Sequence, residues 1–499
     1  MRILHSIVCA ACLIVPVSAS AAVKPHALFT DHMVLQQGRS VPVWGVADAG
    51  ERVTVGFLNQ QKSTTAGGDG KWMVRLDALE AGGPHTLSIA GKNTIRILDV
   101  LVGEVWIASG QSNMQWPVSR SADPEQTAAS SENPRLRLFT VPRTKADAPT
   151  DSVDSKWERC GPETVPEFSA VAYFFGRDLQ KARNVPVGVI HTSWGGSPAE
   201  AWLSPDALES CADGKDIVDL YAGMWKNYEQ SLAQYKTEQA AAKAEGKEFK
   251  KQAPRKPWKP TELYNGMISS ILPYAITGGI WYQGESNAGR AYQYRTLFPA
   301  MIQSWREAWG QGDFPFLLVQ LAPFRKIRTE PGDSDWAELR EAQLLSTHVL
   351  PNVGMAVITD VGEEDDIHPK QKEPVGARLA LAARAIAYGE EIVYSGPEYK
   401  SLTIDGDEAV VGFNHVGGGL VIKGDALQGF ELAGADRVFH NAKAEIRGET
   451  VVVTCPKVPA PVAVRYGWAD YPVVNLWNAD ILPATPFRTD DFRMKTTPK

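Results

Sequence analysis

The chain has 499 residues, 44% of them hydrophobic and 22% charged, which excludes a fibrous, collagen-like or disordered protein. Its length suits roughly two to four domains rather than one. The net charge of −7, with no basic run that carries interleaved aromatics, argues against nucleic acid as a partner.

Residues 1–21 read as a signal peptide. Arg2 supplies the positive start, Ile7 to Val17 the apolar core, and Ala19-Ser20-Ala21 the cleavage site. The apolar stretch is too short to span a bilayer as a mature helix, and no later segment is apolar enough. The expected mature protein is therefore periplasmic or secreted, with no membrane span. Cleavage removes Cys9 and Cys12. Cys160, Cys211 and Cys455 remain, which allow at most one disulfide and form no metal-binding pattern.

Residues 22–100 predict an N-terminal β-rich domain. Alternating segments such as Arg52-Val53-Thr54-Val55-Gly56-Phe57 and Lys71-Trp72-Met73-Val74-Arg75-Leu76 are separated by glycine-rich turns. From 101 to 394 the pattern changes to short apolar strands alternating with helices. Strands are expected at 105–108, 187–191, 279–282, 316–320 and 355–359, and helices around 297–309 and 336–350. Unbroken apolar strands separated by helices predict an α/β domain with a parallel sheet. Residues 205–262 interrupt it. Met224, Tyr228, Leu232 and Tyr235 have helical spacing, a Lys/Glu/Ala-rich arm follows, and Pro254, Pro257 and Pro260 mark an extended return. This segment reads as a surface insertion, able to wall one side of the cleft, with a functional lid as the alternative. Residues 395–499 are again β-rich, as in Ala409-Val410-Val411-Gly412-Phe413 and Thr450-Val451-Val452-Val453-Thr454.

In an open parallel sheet, functional loops lie at the carboxyl ends of the strands. Ser112, Gly195-Gly196, Gln283-Gly284-Glu285 and Asp366-Ile367-His368 all follow predicted strands. Gly110-Gln111-Ser112 after a buried strand is the form of a nucleophile turn. A serine hydroxyl needs a base, and the base needs an orienting acid. His368 stands beyond an acidic loop and just before Pro369, and is the candidate base. Asp366 is the candidate acid, with Asp365 as the alternative. Oxyanion donors are expected from the Ser112 amide, from a glycine amide at Gly195-Gly196, and from the side-chain amide of Gln283 or Asn287. Glu285 is expected to hold loops together rather than to move protons. No metal cluster and no dinucleotide fingerprint occur, so no metal and no cofactor are expected.

At these positions the sequence resembles the sialate O-acetylesterase family of SGNH-type hydrolases. The blocks that carry the resemblance are GEVWIASGQSNMQWPV, HTSWGGSPAEAW, GGIWYQGESNA, FPFLLVQLAPF and DDIHPKQKEPVGARLALAA, with RYGWADYPVVNLWN near the end. The resemblance implies a three-layer α/β sheet core flanked by N- and C-terminal β-rich regions. It implies metal-independent removal of O-acetyl groups from sugars. Carried over by position, Ser112 matches the nucleophile, His368 the base and Asp366 the acid, while Gly196 and Gln283 match oxyanion contributors. The usual Gly-Asp-Ser and Gly-x-Asn-Asp blocks read Gly-Gln-Ser and Gln-Gly-Glu-Ser-Asn here.

The expectation is therefore an exported serine esterase that deacetylates sugars through an acetyl-serine intermediate, with an acetylated sugar or polysaccharide as partner. An acetyl esterase acting on plant polysaccharide (xylan or xyloglucan) is the alternative, and a carbohydrate-binding protein without turnover the remote one. Nothing in the sequence specifies an oligomeric state.

Overall fold

The computed structural model describes residues 22–498. The signal peptide expected at 1–21 lies outside the described residues. Seven strands form the central sheet path: β1 (Thr94–Gly110), β2 (Asn133–Thr140), β3 (Trp157–Cys160), β4 (Val187–Ser193), β5 (Gly278–Tyr282), β6 (Phe316–Val319) and β7 (Val353–Ala356). Their spatial order is β3-β2-β4-β1-β5-β6-β7. All neighbours are parallel except β3, which runs antiparallel along the edge beside β2. The sheet is thus mixed. The sequence pattern identified β1, β4, β5 and β6, and set β7 two residues too late. It missed β2, where Arg135 and Arg137 break the apolar run. The Arg137 guanidinium is nonetheless buried, because Asp99 meets it at 3.1 Å.

Helices cover the sheet. Those used below are α1 (Ser112–Gln115), α2 (Ala170–Arg183), α3 (Gly214–Ala244), α4 (Ala291–Trp309), α5 (Asp335–Val349) and α6 (Glu373–Tyr388). Side chains of β1 alternate between two apolar clusters. Val105 and Ile107 join Leu297, Phe298, Trp305 and Leu339 of α4 and α5. Trp106 and Ala108 join Phe174, Phe175, Val375 and Leu379 of α2 and α6. Period-two alternation against two helical stripes is what places β1 at the centre. Each fully buried large side chain contributes about 1.5–3 kcal/mol of transfer free energy.

β1 also runs back into the N-terminal β region. There it pairs antiparallel with the strand Gly82–Ala90 and parallel with Val34–Gln36. The boundary expected at residues 100–101 therefore falls inside one continuous 17-residue strand. The C-terminal region forms small antiparallel sheets around its own core of Val411, Leu432, Val451, Val464 and Tyr466.

The main element of the insertion is a 31-residue helix, α3, of which only Gly214 and Ile217 are buried. Its Ala, Lys, Glu and Gln content sustains the helix without a core. The partly covered stripe is Tyr221, Trp225, Tyr228, Leu232 and Tyr235, while Met224 is exposed. This corrects the expected face by one position at its start. The extended return packs against that stripe: Phe249 meets Tyr235 edge-on at 5.2 Å, and the Lys256 ammonium lies 5.2 Å from the Trp225 ring.

Candidate active site

β1 ends at Gly110, whose φ is +137°. A Cβ there would lie 2.2 Å from the Tyr282 carbonyl oxygen, so only glycine lets β1 and β5 close at this point. Gln111 donates its N–H to that same carbonyl at 2.9 Å, and the chain then turns into α1. Ser112 is the first residue of α1. Its N–H belongs to the first helical turn and has no partner among the described residues.

His368 reaches this turn from the loop between β7 and α6. Its Nε2 stands 2.8 Å from Ser112 Oγ. Asp366 Oδ1 accepts the His368 backbone N–H at 2.9 Å and lies 3.5 Å from ring Nδ1. One carboxylate oxygen thus bends the loop and faces the imidazole. Asp365, the alternative acid, instead pairs with Lys326 at 2.8 Å on the surface. Trp116 stacks on the His368 ring with centroids 4.7 Å apart and planes 16° apart. The Arg120 guanidinium lies 4.2 Å from the same indole. Partial burial, reinforced by the Lys372 ammonium, holds His368 below the ordinary imidazole range, and Asp366 opposes this.

Asn113, the residue after Ser112, is buried and fully used. Its amide donates to Glu285 Oε1 at 2.6 Å and to the Ile367 carbonyl at 3.0 Å. Its carbonyl accepts from Lys372 Nζ at 2.5 Å. One side chain therefore ties the nucleophile turn to the β5 loop, the His368 loop and the start of α6. Lys372 is completely buried, which brings its ammonium down to about 7. Burial raises the Glu285 carboxyl. Glu285 fills the loop-holding role expected of it.

The loop after β4 comes close to Ser112. A Cβ on Gly195 would lie 3.2 Å from Ser112 Cβ. Gly195 donates its N–H to Gln115 Oε1 at 2.7 Å. That leaves the Gly196 N–H, which has no partner among the described residues, at a φ of +76°. Gln283, expected as a third donor, is already committed. Its amide nitrogen donates to Asn287 Oδ1 at 2.6 Å and to the Ser197 carbonyl at 3.3 Å, and its carbonyl accepts from Tyr294. Both amide hydrogens are spent within the loop core, so Gln283 braces Asn287 rather than facing Ser112. Asn287 donates one amide hydrogen to Glu200 at 2.9 Å and has a second remaining.

Beside Gly196 opens a cleft of about 730 Å³, walled by Trp194, Lys145, Tyr228 and Trp258. Trp258 comes from the insertion and meets Trp194 edge-on at 5.4 Å, with Lys145 Nζ 3.8 Å from the Trp258 ring. The insertion at 205–262 therefore walls one side of this cleft. Trp116, Asn113, Lys372, Glu200 and Trp258 escaped the sequence reading. Asn113 and Trp116 sit inside the first quoted block, where their types gave the only signal. Lys372, four residues after His368, sits likewise inside the fifth quoted block. Among the described residues, no group of three or more His, Cys, Asp or Glu side chains could hold a metal ion, and no helix is long and apolar enough to cross a membrane.

Comparison with known proteins agrees with this chemistry. Residues 246–385 match the family described as carbohydrate esterase, sialic acid-specific acetylesterase. The sialate O-acetylesterase of Rattus norvegicus is 32% identical over 423 residues, 75% of each chain. That of Homo sapiens is 31% identical over 76% of this chain and 74% of its own. The crystal structure of a carbohydrate acetylesterase from Xanthomonas citri is 40% identical, with a TM-score of 0.83, and covers 94% of this chain and 100% of its own.

Proposed function

The chain belongs to the sialate O-acetylesterase family of carbohydrate esterases and is a carboxylic ester hydrolase; from that premise we propose that it is an exported serine esterase that removes O-acetyl groups from sugars through an acetyl-serine intermediate. The observation that carries this reading is the 2.8 Å approach of His368 Nε2 to Ser112 Oγ. Such contact lets the imidazole take the hydroxyl proton as the oxygen attacks.

In the proposed cycle, Ser112 Oγ attacks the acetyl carbonyl and His368 Nε2 accepts its proton. The tetrahedral intermediate collapses, the sugar oxygen leaves with that proton, and acetyl-Ser112 remains. Water then attacks, again giving its proton to His368, and acetate departs as the proton returns to Ser112. Asp366 stabilises the imidazolium in both halves. The developing oxyanion is met by the N–H groups of Ser112 and Gly196, with the second amide hydrogen of Asn287 as the third donor. The core is read as the SGNH-type three-layer arrangement. Export rests on the leader pattern of residues 1–21.

Acetylated sialic acid is the substrate by family. One observation favours acetylated plant polysaccharide (xylan or xyloglucan) as a second reading: the cleft beside Gly196 is open and bordered by the half-buried indoles of Trp194 and Trp258. Indole faces suit sugar rings of a longer chain. Acetate release from acetylated sialic acid, acetylated xylan and an aryl acetate, each with the wild type and with Ser112→Ala, tests both. Turnover confined to one sugar class selects the reading, and undiminished turnover by Ser112→Ala rejects the mechanism.

A further inference from the structure

Glu431 lies on the strand Phe430–Ala433, between Phe439–Asn441 and Ala463–Tyr466. It is more than nine-tenths buried, yet its carboxylate accepts no hydrogen bond among the described residues, and Oε2 is wholly shielded from solvent. Its cross-strand neighbour Arg465 is not available to it. The Arg465 guanidinium forks onto Asp490, at 2.8 and 2.9 Å. Burial pushes the Glu431 carboxyl up to about 7. A buried carboxyl without donors costs stability, and such groups in native folds call for an explanation.

Glu431 lines a cavity of about 290 Å³ between the C-terminal β region and residues 327–332, together with Arg328, Gln428, Asn441 and Tyr471. That volume lies near the lower end for ligand pockets and suits a single ring. The segment that closes it also touches the loop carrying His368. Lys326 pairs with Asp365, the Ile327 N–H donates to Glu364 at 2.8 Å, and Tyr471 donates to the Gly362 carbonyl at 3.3 Å. Asn441 donates to the Thr329 carbonyl at 2.7 Å and fixes the same wall.

We propose that this cavity is a sugar-binding subsite that takes one neutral pyranose ring of the glycan, with one of its hydroxyls donating to Glu431 Oε1. A carboxylate oxygen with no donor from the protein can accept a sugar hydroxyl, and hydrogen bonds to a charged acceptor are the strong ones. A carboxylated sugar would bring a second negative charge against Glu431. A bare cation would meet Arg328 at the same wall. The subsite rests on the reading of the chain as a carbohydrate esterase, and it makes the substrate an oligosaccharide or polymer rather than a lone acetylated sugar.

The test is calorimetric titration of the full mature protein with unacetylated cellohexaose and xylohexaose, with sialyllactose as the acidic arm. Wild type, Ser112→Ala, Glu431→Gln and Gln428→Ala are compared. The subsite predicts that a neutral hexasaccharide binds wild type and Ser112→Ala equally, and that Glu431→Gln weakens it about tenfold or more. Gln428→Ala weakens it less. Glu431→Gln melts no lower than wild type, because it removes a buried carboxyl that accepts no hydrogen bond among the described residues. A merely structural Glu431 would lower the melting temperature instead. Absence of hexasaccharide binding to wild type, equal binding by wild type and Glu431→Gln, or preference for sialyllactose would each overturn the subsite. Acetate release that persists in Ser112→Ala would remove the reading of the reaction and leave the binding result standing.

Discussion

The His368 imidazole lies flat against the Trp116 indole, 4.7 Å between centroids, while its Nε2 reaches Ser112 Oγ at 2.8 Å. The stack fixes the plane of the ring, so the nitrogen proposed to take the proton is aimed at Ser112 Oγ. Aromatic pairs of this kind contribute about 0.5–1.5 kcal/mol. Trp116→Ala should therefore lower kcat on an aryl acetate about two- to tenfold, and Trp116→Phe should recover most of it. Steady-state kinetics of the two variants check this.

Asn113 is the joint under the site. Asn113→Ala leaves Lys372 and Glu285 buried without the amide that joins them, and frees the Ile367 carbonyl. Uncompensated buried charge costs about 3–5 kcal/mol. The variant should unfold at clearly lower denaturant than wild type and lose activity, since the loop bearing His368 is no longer tied to the nucleophile turn. Denaturant titration and acetate release measure the two effects.

The sequence made β1 legible as an unbroken apolar run, and its terminal Gly-x-Ser, common in itself, gained weight from the downstream His368 segment. The downstream Asp-x-His-Pro segment was legible for a chemical reason: a serine nucleophile needs a base. What was not legible depends on tertiary neighbours. Gln283 and Asn287 are equal as amides in the sequence, and only the packing of Tyr294 and Ser197 around Gln283 separates them. Lys372 looks like a solvated lysine at a helix start, and its burial follows from Asn113 reaching it across the fold. Likewise β2 was hidden by two arginines, one of which Asp99 makes tolerable inside.

The pH profile follows from the direction of the His368 shift. The proposed base works only when neutral, and burial with Lys372 nearby holds its pKa below 6.5. Activity should fall on the acid side, with a midpoint at lower pH than an ordinary imidazole would give. Lys372→Met removes a cation that disfavours the imidazolium, so His368 should hold its proton more tightly. The acid limb then moves to higher pH, which a kcat/KM profile of the variant would reveal. An unmoved limb would mean that Lys372 does not act on His368.

Asn287 and Gln283 should differ in kind. If the second amide hydrogen of Asn287 meets the oxyanion, Asn287→Ala lowers kcat by about 10²–10³. Gln283→Ala should act chiefly on stability, because its amide is spent inside the loop core. Paired kcat and melting measurements separate the two roles.

The most direct test of the account is acetate release from an aryl acetate by the purified mature protein, with Ser112→Ala and His368→Ala alongside wild type. Loss of either member of the dyad should reduce kcat by about 10⁴–10⁶ with the fold intact. Wild-type turnover in Ser112→Ala would contradict the account and move the chemistry away from this site.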